Sequence, residues 1–315
     1  MTKRITGLVG GVSAVLLAGA CESEEAFGVA DDVVMRELVD NGMRLNGMRL
    51  NGMRLNGMRL NGMRLNGDDG TADYIEIKKT NVADASKVLA SHLIGSQLFI
   101  DTKKDGTFSG LGLVDTVFQL DLQGDGRGHH KKDLKITGFR PLAPGSDVAV
   151  YNLEVKDGGW QPLCEDGSEA ILLADVWNPE TGDRLDPVSD TLTFACRGAA
   201  LAKCVEFGYA PWASASGVSL RDYHQACTRM VRADYCGDGV THTTNGTPIH
   251  VLDALGVQTV DAGVNYVVEA EWGPDGATCL NGSNTRHADQ NIECDIPACG
   301  SSFASGGLIQ SGKVL

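Results

Sequence analysis

The cysteines of this chain are unevenly distributed, and their distribution constrains the fold more than any other feature. Cys21 ends a short apolar stretch near the N-terminus, and the other eight of the nine cysteines lie in the second half. An even number of cysteines without short Cys-x-x-Cys pairs favours disulfides over a zinc site, and disulfides form outside the reducing cytoplasm. We therefore predict a disulfide framework, and no metal, for Cys164, Cys196, Cys204, Cys227, Cys236, Cys279, Cys294 and Cys299.

The pairing of these eight cysteines does not follow from the sequence, because eight cysteines allow about 105 connectivities. Two pairs are close enough along the chain to close local loops, Cys196 with Cys204 and Cys294 with Cys299. Each disulfide typically contributes about 2–4 kcal/mol.

Residues 1–20 have the three parts of a bacterial export signal. Lys3 and Arg4 give a positive start, an uncharged apolar run follows, and small residues precede Cys21. This order is typical of a lipoprotein signal peptide, so we predict that Cys21 is acylated on its thiol and becomes the mature N-terminus. The alternatives are cleavage near Ala20 without lipidation, and a transmembrane helix, for which the run is shorter than the roughly 20 residues that a bilayer requires.

The anchor and the charge of the chain together indicate its compartment. Glu22 follows Cys21, instead of the Asp associated with inner-membrane retention in some Gram-negative bacteria. We therefore expect an exported protein, lipid-anchored to the cell envelope in the outer membrane of a Gram-negative bacterium. The net charge of −14 argues against nucleic acid as a partner. The expected partners are the membrane, through the lipid, and an unknown envelope or extracellular molecule.

Residues 41–67 contain five copies of Asn-Gly-Met-Arg-Leu. Five copies are too few to stack as a solenoid, and a helix would rotate successive leucines by about 140°, so no apolar stripe forms. Asn-Gly favours a turn in each copy. We predict a flexible tether over residues 21–70, with an r.m.s. span of roughly 40 Å. Alternatively, the repeat binds an anionic lipopolysaccharide or a partner chain through Arg44, Arg49, Arg54, Arg59 and Arg64.

The part from residue 71 to residue 157 has the pattern of an antiparallel β domain. Alternating apolar runs at 74–77, 97–100, 115–122 and 148–155 are bounded by Gly and Asp turns. Asp101 begins a segment that faintly resembles a calcium loop, but its third position is Lys103 and no Glu occupies the twelfth position.

Two adjacent histidines, His129 and His130, lie in the Gly-rich segment 124–132 beside two lysines. Neighbouring residues on a loop seldom bind one metal ion well, and the lysines would repel it. This segment is therefore interpreted as a solvated hairpin loop, and no cofactor is expected.

Residues 158–315 form the cysteine-rich part, in which two helices are predicted. Gly198 to Val205 is helix-prone, and Ser219 caps a second helix that ends near Arg232. The buried stripe of the second helix comprises Leu220, Tyr223, Cys227, Met230 and Val231.

The end of the second helix resembles the signature of the bacterial ADYC-domain proteins. The signature string is Ala233, Asp234, Tyr235 and Cys236. Further matching strings lie at 160–164, 194–196, 203–204, 208–212, 243–248 and 271–276. The resemblance implies an exported, often lipid-anchored protein of unknown function, and it supplies no catalytic residues.

The residues of this string favour a structural role. Asp234 and Asp238 follow a helix C-terminus, where negative charge is unfavourable unless a turn uses their oxygens. Gly237 and Gly239 would supply positive φ, Cys236 would tie the turn to the core, and Tyr235 would pack beneath it.

The enzymatic alternative uses Cys236 as a thiolate with His242 as its base, oriented by Asp234 or Asp238, with His224 as another candidate. Such an enzyme would act on cell-wall peptide or protein. We favour the non-enzymatic interpretation, an interaction or structural module of mostly β fold with a few short helices (α+β), because no recognised nucleophile motif surrounds Cys236.

Overall fold

The computed structural model of the protein describes eleven stretches of the chain. The predicted signal peptide, Cys21 and the repeat lie outside them. The described residues are 75–80, 88–103, 105–124, 128–164, 167–178, 181–185, 191–243, 249–260, 263, 265–286 and 292–315.

These residues form eighteen strands and two α-helices. The strands are β1 (Ile75–Thr80), β2 (Val88–Ile94), β3 (Gln97–Thr102), β4 (Gly106–Ser109), β5 (Val117–Gly124), β6 (Gly128–Pro141), β7 (Ala149–Asp157), β8 (Gly159–Pro162), β9 (Ala170–Leu173), β10 (Val176–Trp177), β11 (Arg184–Leu185), β12 (Thr191–Cys196), β13 (Ser214–Ala215), β14 (Val218–Ser219), β15 (His250–Asp253), β16 (Tyr266–Gly273), β17 (Gly276–Leu280) and β18 (Ile309–Val314). The helices are α1 (Ala200–Glu206) and α2 (Arg221–Arg232). The predicted fold class, mostly β with short helices, is confirmed.

Six antiparallel strands close into a ring. In order around the ring they are β1, β5, β6, β7, β9 and β12, and β12 pairs with β1 to complete it. Strand β8 pairs with β7 beside the ring. The ring takes strands from both sides of residue 157, so the cysteine-rich part of the chain contributes to the same sheet as the part before it.

Side chains along the strands point alternately into the ring and away from it. The inward side chains fill the ring, and some of the outward ones are covered by other elements. On β7, Tyr151, Leu153 and Val155 lie in the ring's core, whereas Val150 faces outwards. Strand β9 is buried along its whole length because its outer face is also covered. The cover is helix α1, whose Leu201 packs against that outer face. A continuous apolar strand sequence therefore marks the side of the ring that lies inside the protein.

Helix α2 packs between α1 and a second sheet. That sheet has the order β15-β18-β16-β17 and is antiparallel throughout. The predicted apolar stripe is confirmed as part of this core. The helix begins after Leu220 rather than at the predicted cap, and the Ser219 hydroxyl accepts a hydrogen bond from the Arg221 amide at 3.3 Å.

The polar side of α2 is buried as well. The β10–β11 hairpin covers it, and Gln225 links the two: its side chain accepts a hydrogen bond from Trp177 and donates one to the Gly182 carbonyl. Among the residues that the structure describes, no helix is both long and apolar enough to cross a membrane.

All eight cysteines of the second half are paired. The disulfides are Cys164–Cys196, Cys204–Cys227, Cys236–Cys294 and Cys279–Cys299.

Both predicted local closures are wrong. Cys196 faces the core of the ring, whereas Cys204 belongs to the core around α2, so the two sulfurs lie in different cores. Cys294 and Cys299 reach different elements, the turn after α2 and strand β17, because the segment between them passes from one element to the other.

Candidate functional site

The candidate site is the signature turn, residues 233–239, which reverses the chain after α2. Ala233 adopts the left-handed conformation (φ 53°, ψ 42°) and is fully buried. Its amide donates to the Met230 carbonyl, and the amide of Asp234 donates to the Arg229 carbonyl at 2.9 Å. A left-handed residue at this position satisfies carbonyls that the end of a helix leaves unpaired.

Asp234 holds the turn closed from within. Its carboxylate accepts a 2.6 Å hydrogen bond from Arg229 and another, at 3.1 Å, from the amide of Gly239. Burial raises the pKa of Asp234 above its ordinary value, against the opposing effect of the Arg229 guanidinium. Asp238 accepts a hydrogen bond from the Val240 amide. The predicted turn, in which both carboxylates are used locally, is thus confirmed.

Arg229 joins the turn to two other parts of the structure. Its side chain is 1% exposed and forms ion pairs with Asp234 and Asp183. It also donates to the carbonyls of Thr181 and Pro274, at 2.6 and 3.1 Å. The β10–β11 hairpin and the β16–β17 hairpin therefore meet at one guanidinium, which has the fixed planar geometry needed for several partners.

Tyr235 connects the turn to a buried ion pair on β16. Its ring stacks on Trp272 at 5.1 Å, and its hydroxyl donates to Glu269 at 2.6 Å. Arg286 contacts the same carboxylate through Nε and Nη2, and Ser311 donates to it as well. Burial alone would raise the pKa of Glu269, but Arg286 and the other donors lower it to about 2. Burial raises the pKa of the Tyr235 hydroxyl.

Gly237 allows the turn to pack directly on the β16–β17 hairpin. It has φ +70°, and a Cβ at this position would lie 1.9 Å from the Asp275 carbonyl oxygen. The Ala277 amide donates to the Tyr235 carbonyl in the same contact. The glycine is therefore required by both its backbone conformation and the close approach of two backbones. The predicted positive φ of Gly239 is also present.

The thiolate–imidazole pair suggested for Cys236 and His242 is not present. Cys236 is bonded to Cys294, so its sulfur is not a thiolate in this structure. His242 lies against the Tyr235 ring at 5.7 Å. His224 is buried, one ring nitrogen is 3.0 Å from the Leu201 carbonyl, and burial lowers its pKa to about 4. The two histidines thus contact different residues, Leu201 in the case of His224 and Tyr235 in the case of His242.

The segments considered for metal binding are hairpins. Asp101 lies in β3, which pairs with β4, and accepts a hydrogen bond from Thr107. His129 and His130 lie in β6 and pair with residues of β5, so residues 128–132 form strand rather than the loop that the sequence suggested. Over the described parts of the chain, no group of three or more His, Cys, Asp or Glu residues is arranged to hold a metal ion.

Sequence reasoning located the turn but missed the charged residues that support it, Arg229, Glu269 and Arg286. For Glu269 the available indication was its position in a strand that is otherwise buried towards its end, whereas Arg229 lies on the face of α2 opposite the apolar stripe and gave no such signal. Neither position reveals its partners: Asp234 is five residues from Arg229, but Asp183 is 46 residues from it, and Arg286 is 17 residues from Glu269.

Comparison with known proteins assigns the chain to a family but not to a characterised relative. No curated protein and no solved structure matches the chain. The family model of the ADYC domain matches residues 110–286, which is more than half of the chain and includes the ring from β5 onwards, both helices and the signature turn. The chain therefore belongs to the ADYC-domain family.

Proposed function

We propose that this protein is a lipid-anchored component of the cell envelope, and that its disulfide-bonded body is an interaction or structural module rather than an enzyme. One observation carries the second part: the reactive groups of the signature are used in internal contacts. Asp234 binds Arg229, the Tyr235 hydroxyl binds Glu269, and Cys236 is bonded to Cys294.

Catalysis by these groups would require a different state of the turn. A nucleophile must be ionisable and within reach of a base, and a general acid or base must be free to exchange a proton with a substrate. Asp234 and Tyr235 are 0% and 1% exposed. What the signature supplies is a rigid joint between α2 and the β16–β17 hairpin, which suits a module that presents a fixed surface.

The anchor is the part of the proposal that rests on the sequence. Residues 1–20 have the pattern of a lipoprotein signal, and Cys21 stands at the acylation position. The predicted tether, residues 21–70, would separate the body from the membrane. A body held at a distance from the bilayer suits contact with a partner in the envelope or outside the cell.

Metabolic labelling tests the anchor. The full chain would be expressed in a Gram-negative host supplied with an alkyne fatty acid, and the N-terminal peptide of the mature protein would be identified by mass spectrometry. We expect a labelled peptide that begins at Cys21 and no label in the Cys21→Ser variant. A mature protein that begins elsewhere, or carries no label, would contradict the anchor.

A free-thiol count tests the non-enzymatic part. The protein would be recovered from its membrane under alkylating conditions, and each cysteine peptide would be examined for alkylation. We expect all eight downstream cysteines to be unmodified because they are paired. If instead Cys236 is alkylated rapidly near neutral pH, and His242→Ala slows that reaction, the cysteine-enzyme alternative replaces this proposal.

A further inference from the structure

The four disulfides differ in their access to solvent. Cys204 and Cys227 are both fully buried, and the Cys164–Cys196 pair is buried in the ring. The third pair combines a fully buried Cys279 with a partly exposed Cys299. Cys236 and Cys294 are both partly exposed. Thiol–disulfide exchange requires an attacking sulfur to reach one of the two bonded sulfurs, and Cys236–Cys294 is the one pair of the four in which both residues are partly exposed.

The segment that carries Cys294 lies outside the sheets. Residues 292–300 have neither helix nor strand, and the Pro297 carbonyl accepts a hydrogen bond from the Leu280 amide. Ile292 and Ile296 pack against the core around α2 and are only partly buried. Opening the Cys236–Cys294 bond would therefore release this segment from the signature turn without breaking hydrogen bonds between strands. Cys299 would still attach the other end of the segment to β17.

The surroundings of this disulfide are acidic. Exposed Asp295 follows Cys294 directly, and exposed Asp238 lies two residues after Cys236. Exposed Asp275 adjoins the turn from the β16–β17 hairpin, where its carbonyl meets Gly237. Three guanidiniums lie nearby: those of Arg229 and Arg286 are buried in ion pairs, and that of Arg232 is 3% exposed and donates to the Gly239 carbonyl. An approaching thiolate is negative and would be repelled here, unless positive groups accompany it.

We propose that Cys236–Cys294 is a site of thiol–disulfide exchange for a dithiol reductant whose reactive thiolate is accompanied by basic side chains. The thiolate of the reductant attacks one sulfur, forms a mixed disulfide and releases the other sulfur as a thiolate, which takes up a proton. The second thiol of the reductant, after losing its proton, then displaces the remaining cysteine. Two electrons pass from the dithiol, which becomes a disulfide, and the protein gains two thiols.

The test compares two small thiols on the mature, fully oxidised protein. Cysteamine carries an ammonium group and glutathione has net negative charge, so they differ in charge while sharing the attacking sulfur. Reaction aliquots would be alkylated at intervals, and the cysteine peptides would be quantified by mass spectrometry. We expect Cys236 and Cys294 to be alkylated before the other six cysteines, and cysteamine to react several-fold faster than glutathione at low ionic strength.

Two further measurements separate charge from the intrinsic reactivity of the reagents. The ratio of the two rates should fall as salt is added, because screening weakens repulsion. It should also fall in Asp295→Asn, while Asp105→Asn, which removes an equal charge in the distant β3–β4 turn, should leave it unchanged. Earlier reduction of another pair, simultaneous release of all eight thiols, or a ratio unaffected by salt and by Asp295→Asn would overturn the proposal. The thiol count proposed above adds no reductant, so the two tests fail independently.

Discussion

The hydroxyl of Tyr235 donates a 2.6 Å hydrogen bond to the carboxylate of Glu269, 34 residues further along the chain. This bond joins the signature turn to the centre of the second sheet, inside a core where both residues are at most 2% exposed. The tyrosine of the signature thus acts as a structural connection, and its loss should be measurable as a change in stability.

The first prediction concerns this hydrogen bond. Tyr235→Phe keeps the ring that stacks on Trp272 but removes one donor from a buried carboxylate. We expect a loss of about 1–3 kcal/mol in the free energy of unfolding, measured by denaturant titration of the oxidised protein. Tyr223→Phe is the matched control, because Tyr223 packs in the same core but is not among the described residues that donate to Glu269. Equal losses in the two variants would contradict the prediction.

The second prediction concerns the Glu269–Arg286 ion pair, whose side chains are each 3% exposed. Arg286→Met leaves a buried carboxylate without its counter-ion, and such changes typically cost about 3–5 kcal/mol. The double variant Glu269→Gln/Arg286→Met removes both charges and should recover part of the loss. Denaturant titrations of the two single variants and the double variant give the interaction free energy between Glu269 and Arg286. A double variant that loses the sum of both single losses would show that the two residues act independently.

The third prediction concerns acid stability. The pKa of Glu269 is lowered to about 2 in the folded protein, from an ordinary value near 4.5. The unfolded chain therefore binds a proton at higher pH, and the stabilisation, on the order of 3 kcal/mol, is present above pH 4.5 and lost as pH falls towards 2. Glu269→Gln should flatten the stability profile in this window.

His224 also makes the stability depend on pH, but at higher pH than Glu269 does, so the two contributions can be separated. Burial lowers its pKa from 6.5 to about 4, so the unfolded state gains a proton first and stability falls as pH decreases from 6.5 to 4. Stability measured as a function of pH for the wild type and for Glu269→Gln should therefore agree in slope above about pH 4.5 and diverge below it. If the slopes of the two stability curves differed above pH 6, the low-pH effect could not be assigned to Glu269.

The fourth prediction concerns Gly237. In Gly237→Ala the new Cβ would meet the Asp275 carbonyl, and the backbone would have to move, so we expect a loss of about 4 kcal/mol. Gly217→Ala is the control, because Gly217 also has positive φ (+79°) but nothing lies within 4 Å of its Cβ position. It should lose only about 1–2 kcal/mol, the cost of the left-handed conformation. Thermal unfolding of both variants measures the difference.

Local features of this fold could be predicted from the sequence. The positions of α1 and α2, the strands β1, β3, β5 and β7 and the turn at 233–239 follow from short-range patterns of apolar, Gly and Asp residues, whereas β2, β4 and β6 were not predicted. The role of Tyr235 as a buried residue beneath the turn followed from the same reasoning.

Long-range features could not be predicted in this way. The closure of the ring depends on β1 meeting β12, and nothing near Ile75 or Leu192 specifies the other. The same holds for Arg229 with Asp183 and for the disulfide partners, because tertiary structure brings together residues that are remote in the chain. An acid or a base inside an apolar run indicates that a partner exists, but the fold selects it.

The order of the disulfides along the chain has a consequence for biogenesis. Of the eight cysteines in the second half, the first four pair consecutively, Cys164 with Cys196 and Cys204 with Cys227, whereas the last four form interleaved pairs. If the protein is exported, as proposed above, an oxidase that joined its cysteines in the order of the chain would make the first two bonds correctly and would then join Cys236 to Cys279. Maturation of the signature turn therefore calls for either delayed oxidation or a disulfide isomerase, while the ring and the helices need neither.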